Sequence, residues 1–206
     1  MESKFNYKNF SIVIPIYNEE EILEESTNAI FSICKRMGID FEIIFSENGS
    51  TDNTQKIASE LTTKYQEIKI ISNSEPNYGN ALTAGFETAK NDLVISFDID
   101  YYSESFLREA LMLDSKYSSM TASKRLGSSE DGRRFVRRLA TNFFVILLKI
   151  LFGTKLSDTH GMKAIKKTEI EKFVPQVIST QDIFDTELLI RICLLYTSPS
   201  PRDALE

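Results

Sequence analysis

The chain has 206 residues, 42% of them hydrophobic and 26% charged, enough for one domain with a sizeable core. Its net charge of −6 argues against a general nucleic-acid binder, and its two cysteines, Cys34 and Cys193, are too few for a disulfide framework or a zinc site. The opening MESKFNYKNF has no apolar secretion-signal core, and no run reaches the roughly 18 apolar residues of a bilayer span; a reducing, cytoplasmic compartment is the expectation.

Taken in chain order, FSIVIPI (10–16) reads as a buried strand. Asn18 then stands where a helix N-cap belongs, followed by Glu19, Glu20 and Glu21, and Ile22, Leu23, Ala29, Ile30, Ile33, Cys34 and Met37 line one helical face that Gly38 ends. FEIIFS (41–46) is a second strand, Ser50, Thr51 or Asp52 caps a helix to about Tyr65, and EIKIIS (67–72) is a third strand. NYGNALTAGFETAK (77–90) is helical and LVISFD (93–98) is a fourth strand. Strand and helix alternate in units of about 30 residues, the pattern of a parallel sheet covered on both faces.

Ligands in such sheets bind outside the carboxyl ends of the strands. Here those ends are PIYNEE, SENGSTD, NSEPNYGN and DIDYY, so four polar loops are expected to converge on one edge. The two carboxylates of the last loop, Asp98 and Asp100, follow a core strand directly. Burying like charges is costly unless they are paired or bind a cation, so this pair is read as a metal site, against the alternative that it only turns the chain toward the Ser103 helix.

Beyond the fourth strand, SESFLREALMLDS (103–115) is helical with Ser103 as cap, and SSMTASKR (118–125) is a strand. A long helix over 133–152 starts with Arg133, Arg134, Arg137 and Arg138 and turns apolar in FFVILLKILF. GMKAI (161–165) is another strand, Thr168 with Glu171 forms a capping box, and DIFDTELLIRI (182–192) is a last helix. Cys193 to Asp203, CLLYTSPSPRD, departs from the composition of the rest and resembles the translation of a sequencing transposase adapter. One domain over 1–192 and a non-native tail over 193–206 are therefore expected.

The motifs PIYNEE, ENGSTDNT, NYGNALTAGF and DID, in this order on predicted strand ends, resemble the GT-A glycosyltransferases of family 2, most of all their polyprenyl- and dolichyl-phosphate sugar synthases. The resemblance covers about residues 10–192. It implies an α/β, GT-A (Rossmann-like) fold: one domain with a mostly parallel central sheet flanked by helices. It implies transfer of a sugar, with inversion, from a nucleoside-diphosphate sugar to a lipid-phosphate acceptor such as polyprenyl phosphate, in the biosynthesis of cell-envelope glycans.

By the same resemblance, Pro15, Tyr17 and Glu19 pack around the nucleotide, joined by Glu47, Asn48, Gly79 and Asp98. The usual Asp-Asp-Gly-Ser motif is Glu47-Asn48-Gly49-Ser50 here, which removes one charge. Asp98 and Asp100 match the family's Asp-x-Asp, where Mg²⁺ or Mn²⁺ held by hard oxygen ligands offsets charge on the departing diphosphate. Asp158 in SDTHGMKAI corresponds to the acid proposed as catalytic base, with Asp100 beside the reacting centre; His160 in the same stretch reads as a structural hydrogen-bonder. Arg125, Arg134, Arg138 and Lys163 are candidates for phosphate or acceptor binding. Asp185 and Glu187 either face the acceptor or are ordinary helix acids. The apolar run 143–152 either packs on the sheet or contacts the cytoplasmic face of a membrane. No nucleic-acid partner is expected, and the oligomeric state is left open. The rival reading is a degenerate module that binds a nucleotide sugar without turnover.

Overall fold

The computed structural model describes residues 5–122, 161–181 and 183–197, with side chains as far as 193. Its elements are β1 (Asn9–Ile16), α1 (Leu23–Met37), β2 (Asp40–Glu47), α2 (Thr54–Lys64), β3 (Ile68–Ser72), α3 (Tyr78–Thr88), β4 (Leu93–Ser96), α4 (Glu104–Leu111), β5 (Ser119–Thr121), β6 (Lys163–Lys166), α5 (Lys167–Phe173) and α6 (Phe184–Thr197). The expected helix over 133–152, Arg125, Arg134, Arg138, Asp158 and His160 lie outside the described residues. The last helix passes through residue 192 to Thr197.

Six strands form one sheet in the order β3-β2-β1-β4-β6-β5. β1 is parallel to both β2 and β4, β2 is parallel to β3, and β6 runs antiparallel between β4 and β5. The sheet is thus mostly parallel, as expected, with a single reversed strand.

Alternation along the central strands feeds two cores. Phe10, Ile12, Ile14 and Ile16 of β1 pack with Leu23, Ile30 and Cys34 of α1, Ala58 and Leu61 of α2, and Phe106 and Leu107 of α4. On the other face Val13, Ile44 and Val94 meet Leu82 and Phe86 of α3, Ile170 and Phe173 of α5, and Phe184 and Leu188 of α6. The face changes because the strand order does. β1, β2 and β3 step in one direction, and α3 carries the chain back across the sheet to β4; with right-handed crossovers, reversing direction moves the connecting helix to the opposite face.

Several helix starts differ from expectation. Asn18 does not cap α1: it sits at φ 55°, and the helix starts at Leu23 after a turn in which the Ile22 and Leu23 amides donate to the Glu19 carbonyl at 3.2 and 2.9 Å. α2 starts at Thr54, whose amide donates to Asp52 Oδ1 at 2.9 Å. Thr168 lies inside α5, not at its cap. β6 runs directly into that helix, and the Lys167 amide is satisfied by the Asp92 carbonyl at 2.8 Å, so no hydroxyl cap is needed. Gly38 ends α1 in the left-handed conformation, φ 69°, and Ser103 caps α4 through the Phe106 amide, as expected; α3 has a cap that the sequence reading did not assign, Asn77 through the Asn80 amide.

At the amino-terminal edge of the sheet, Glu42 is a buried acid with three partners. Ser11 Oγ and the Lys90 amide donate to Oε1, each at 2.7 Å, and Lys69 Nζ donates to Oε2 at 2.5 Å. Burial works against its charge, but Lys69, Ser11 and Lys90 outweigh it and hold the carboxyl below its ordinary value. A depressed carboxyl pKa contributes stability that is complete above the unfolded value, about 4.3, and is lost as pH falls through the folded one. Glu42→Gln is expected to cost about 1.5 kcal/mol near neutral pH, with the gap to wild type closing below about pH 4, read from urea midpoints across pH.

Gly85 lets α3 lie against β1, since a Cβ there would come within 2.4 Å of Val13 Cγ1. Ala is a better helix former than Gly by about 1 kcal/mol, yet Gly85→Ala is expected to destabilise the fold by about 1–3 kcal/mol through overpacking. An unchanged or raised thermal midpoint would show that the contact yields.

Candidate functional site

β1 and β4 mark the place where the strand order reverses, and a crevice opens beyond their carboxyl ends. The β1–β4 ladder stops at Val13 and Ser96. Two residues further along β1, Pro15 turns its missing N–H to the β4 side, where no ladder remains to be interrupted. The Ile16 carbonyl, on the other side, accepts from the Asn48 amide at 3.0 Å. Tyr17 emerges 44% exposed.

The β1 and β2 loops are clasped by reciprocal bonds. The Asn18 amide donates to Ser50 Oγ at 3.0 Å, and Asn18 Oδ1 accepts from the Thr51 amide at 2.9 Å. The Glu19 amide donates to Thr54 Oγ1 at 2.7 Å, and Glu20 Oε2 accepts from the Asn53 amide at 3.0 Å. Against some loss of hydration, bonds from Thr54 and the Glu20 amide hold the Asp52 carboxyl below its ordinary value. The left-handed backbone at Asn18 aims its amide group into this clasp, a role that local helix signals do not reveal.

Glu47 and Asn48, expected at the nucleotide, are both buried. Glu47 Oε1 accepts from the Ser50 amide at 2.5 Å, and Asn48 Oδ1 accepts from the Asn77 amide at 2.6 Å. Gly49 between them and the helix has φ 74° with Pro76 packed against it. Asn48, the neutral residue at the motif's second position, thus ties the β2 loop to the start of α3. Gly79 has a packing reason of its own: its amide donates to the Thr180 carbonyl at 2.9 Å, and a Cβ would come within 2.6 Å of that carbonyl group.

β4 ends at Ser96, two residues before the expected Asp98. A turn follows, closed by the Tyr101 amide on the Asp98 carbonyl at 2.9 Å. Ile99 points into the core at 1% exposure, which leaves Asp98 half-buried and Asp100 exposed on the crevice side of the chain. The two carboxylates act on Glu19: its carboxyl is held above its ordinary value by partial burial, then by Asp100, Asp98 and Asp52. Three elements therefore bring acids to one spot, where negative charge accumulates.

That environment fits a divalent cation, with a qualification on its ligands. Among the described residues no group of three Asp, Glu, His or Cys side chains could hold a metal by itself. Asp98 and Asp100 would supply one or two carboxylates, with phosphate and water completing the shell, the mode usual for Mg²⁺ beside phosphates.

Lys163 does not stand with these residues as a surface phosphate ligand. Its side chain is 3% exposed, 2.8 Å from Asp185 Oδ2, in an ion pair whose acid is fully buried. Asp185 and Glu187 likewise have internal partners. Tyr78 Oη donates to Asp185 Oδ2 at 2.9 Å. Glu187 accepts from the Ile178 and Ser179 amides at 3.0 and 2.9 Å and from Arg191 at 2.7 Å; against partial desolvation these hold its carboxyl below its ordinary value. Tyr78 escaped sequence reading because it sits in the first turn of a helix whose partner lies 107 residues away.

Comparison with known proteins bears on the fold and the family. A relative from Edwardsiella ictaluri, undecaprenyl-phosphate 4-deoxy-4-formamido-L-arabinose transferase, is 36% identical over 168 residues, 79% of this chain and 50% of its own length. The protein of that name from Pseudomonas fluorescens is 28% identical over 78% of this chain and 48% of its own. The chain spans about half the length of these two relatives, and 29% of the Pectobacterium protein of the same name. Among solved structures, glucosyl-3-phosphoglycerate synthase from Mycobacterium tuberculosis, in complex with Mn²⁺, UDP and product, superposes with a TM-score of 0.67 at 21% identity, over 96% of this chain and 75% of that one. A mannosyltransferase from Pyrobaculum calidifontis, in complex with GDP-Man and Mn²⁺, superposes at 0.55 with 17% identity, over 79% and 46%. The fold is that of the GT-A glycosyltransferases. The sequence profile described as "Glycosyl transferase family 2" matches residues 11–173, and the chain belongs to that family.

Proposed function

We propose that this chain carries the catalytic domain of a transferase that moves a sugar, with inversion, from a nucleoside-diphosphate sugar to a polyprenyl phosphate. The observation that carries the reading is the crevice at the strand-order reversal, where Asp98 and Asp100 follow β4 beside Glu19, whose carboxyl pKa is raised by partial burial and then by these acids. The names of the relatives support the acceptor class, and the Mn²⁺ and nucleotides in the superposed structures support the donor class. The domain is taken as residues 1–192, with 193–206 outside it.

In this reading Pro15, Tyr17 and Glu19 line the nucleotide, with Glu47, Asn48 and Gly79 shaping the loops behind it. Asp98 and Asp100 would hold Mg²⁺ or Mn²⁺, which supplies neutralisation of the charge that develops on the leaving diphosphate. An oxygen of the acceptor phosphate attacks the anomeric carbon from the face opposite the diphosphate. The new C–O bond forms as the bond to the diphosphate breaks, and the electron pair leaves with that group. Asp158 is assigned as general base, taking a proton where the acceptor carries one. Arg125, Arg134 and Arg138 are assigned to phosphate groups, where guanidinium binds bidentately. A lipid acceptor places the enzyme at the cytoplasmic face of a membrane.

A degenerate, non-catalytic module is the competing reading, favoured by the fact that Glu47 spends an acceptor atom on its own loop and Asn48 spends one on the start of α3. Thermal shift against UDP- and GDP-sugars with and without Mn²⁺ separates the two. A ligand at 100 times its Kd adds about 2.7 kcal/mol, roughly 5–10 °C for a domain of this size. The expected result is a Mn²⁺-dependent shift with one nucleotide, absent in Asp98→Ala/Asp100→Ala, together with a loss of at least about 100-fold in sugar transfer. A folded wild type that shifts and turns over with none of these donors would favour the non-catalytic module.

A further inference from the structure

The Asp185–Lys163 pair is a buried feature of the described chain that the transfer chemistry leaves unused. Asp185 is fully buried and Lys163 is 3% exposed. Oδ2 of Asp185 receives both Lys163 Nζ at 2.8 Å and Tyr78 Oη at 2.9 Å. Oδ1 has no hydrogen-bond partner among the described residues, and neither has the neighbouring Thr186 Oγ1. As a source of stability this is a poor arrangement: a well-packed apolar pair of similar volume usually serves as well or better than a buried ion pair. What such a pair does supply is directionality, because its bonds are satisfied in one register of the elements it joins.

The elements joined here are telling. Lys163 also donates to the Gly161 carbonyl at 3.1 Å, so its ammonium fixes the turn by which the chain starts β6. In the sheet Lys163 stands opposite Ser96, two residues before Asp98. In the other direction, Tyr78 opens α3, and the preceding Asn77 amide is held by Asn48 of the β2 loop at 2.6 Å. Gly79, the next residue, is held by Thr180, whose loop is anchored by Glu187 through the Ile178 and Ser179 amides. One carboxylate therefore stands between the loop beyond β2 and the strand pair that leads, past Ser96, to Asp98.

We propose that Asp185 is a positioning residue: through Tyr78 and Lys163 it holds the nucleotide-side loops in register with the strand end that carries Asp98 and Asp100. The donor's diphosphate has to bridge those two sides, so a slip between them misplaces the leaving group while leaving each side able to bind its own part of the ligand. This role rests on the transferase reading above.

The test compares wild type, the isosteric double variant Asp185→Leu/Lys163→Met, Tyr78→Phe, and Asp98→Ala as the metal-side control. The donor is whichever of UDP-glucose and GDP-mannose wild type uses, with Mn²⁺, and undecaprenyl phosphate as acceptor. The double variant is expected to melt at or above the wild-type temperature, to keep its donor KM within threefold, and to lose at least tenfold in kcat. Tyr78→Phe is expected to lose kcat in the same sense with KM unchanged. Amide hydrogen exchange should speed up together at Asn77, Gly79 and Asn80 and at Ala164 and Ile165, with α1 unaffected. A folded double variant with wild-type kcat overturns the proposal. Should the double variant fail to fold, wild-type kcat in Tyr78→Phe overturns it instead. An inactive wild type overturns the transferase reading, and the exchange then decides the clamp: faster exchange confined to α6 overturns it.

Discussion

The return of α3 across the sheet is the constraint from which the site follows. β1, β2 and β3 build outward in one direction, and only a helix lying on the opposite face can bring the chain back to place β4 beside β1. That helix must lie close to the sheet. Gly85 permits it by leaving room for Val13, and Leu82 and Phe86 supply the apolar face that joins Val13, Ile44 and Val94 in the second core. Once α3 is seated, the carboxyl ends of β1 and β4 are neighbours whose loops depart to different sides. The crevice between them is a consequence of packing before it is a matter of chemistry.

Secondary structure alone would leave the loops on that edge loosely held, since each strand end presents amides and carbonyls without ladder partners. The chain satisfies them with side chains of the adjacent loop. Asn18 and Glu20 serve the β2 loop, Thr54 and Asp52 serve the β1 loop, and Asn48 serves the start of α3. The polar richness of these segments is therefore mostly structural. Asp98 and Asp100 differ because Ile99 between them anchors in the core. That anchor turns both carboxylates toward Glu19.

The parallel sheet was legible because its signals are local. Apolar β-branched runs end in polar loops at a regular interval, and the chain order of motifs on strand ends points to the carboxyl edge of the sheet. Gly38 and Ser103 could be placed as terminators because each acts on backbone within four residues. What failed was reading a cap from residue type alone. Asn18 and Thr168 have the right chemistry for capping, but one is claimed by a loop 33 residues away and the other follows a strand that runs straight into its helix. The reversed direction of β6 was not legible either, since GMKAI has the same composition whichever way it enters the sheet.

Lys163 shows most plainly where a motif and its chemistry part company. A lysine after glycine, near an acid and in a family that handles phosphates, invites assignment to a phosphate, and Asp185 in an amphipathic helix invites assignment to solvent or acceptor. Each looks functional or incidental only because the other is out of sight, 22 residues along the chain. Together they neutralise each other in the interior, at a place where neither could remain charged alone without a cost of several kcal/mol. The ammonium spends two of its three donors on the acid and on the Gly161 carbonyl, and its charge is paired with the acid. In the transferase reading, phosphate would be bound by cations that are not so engaged. What the buried pair contributes to the site is geometric, because a bond that can be satisfied in only one register fixes where β6, and hence the end of β4, stands relative to the first turn of α3.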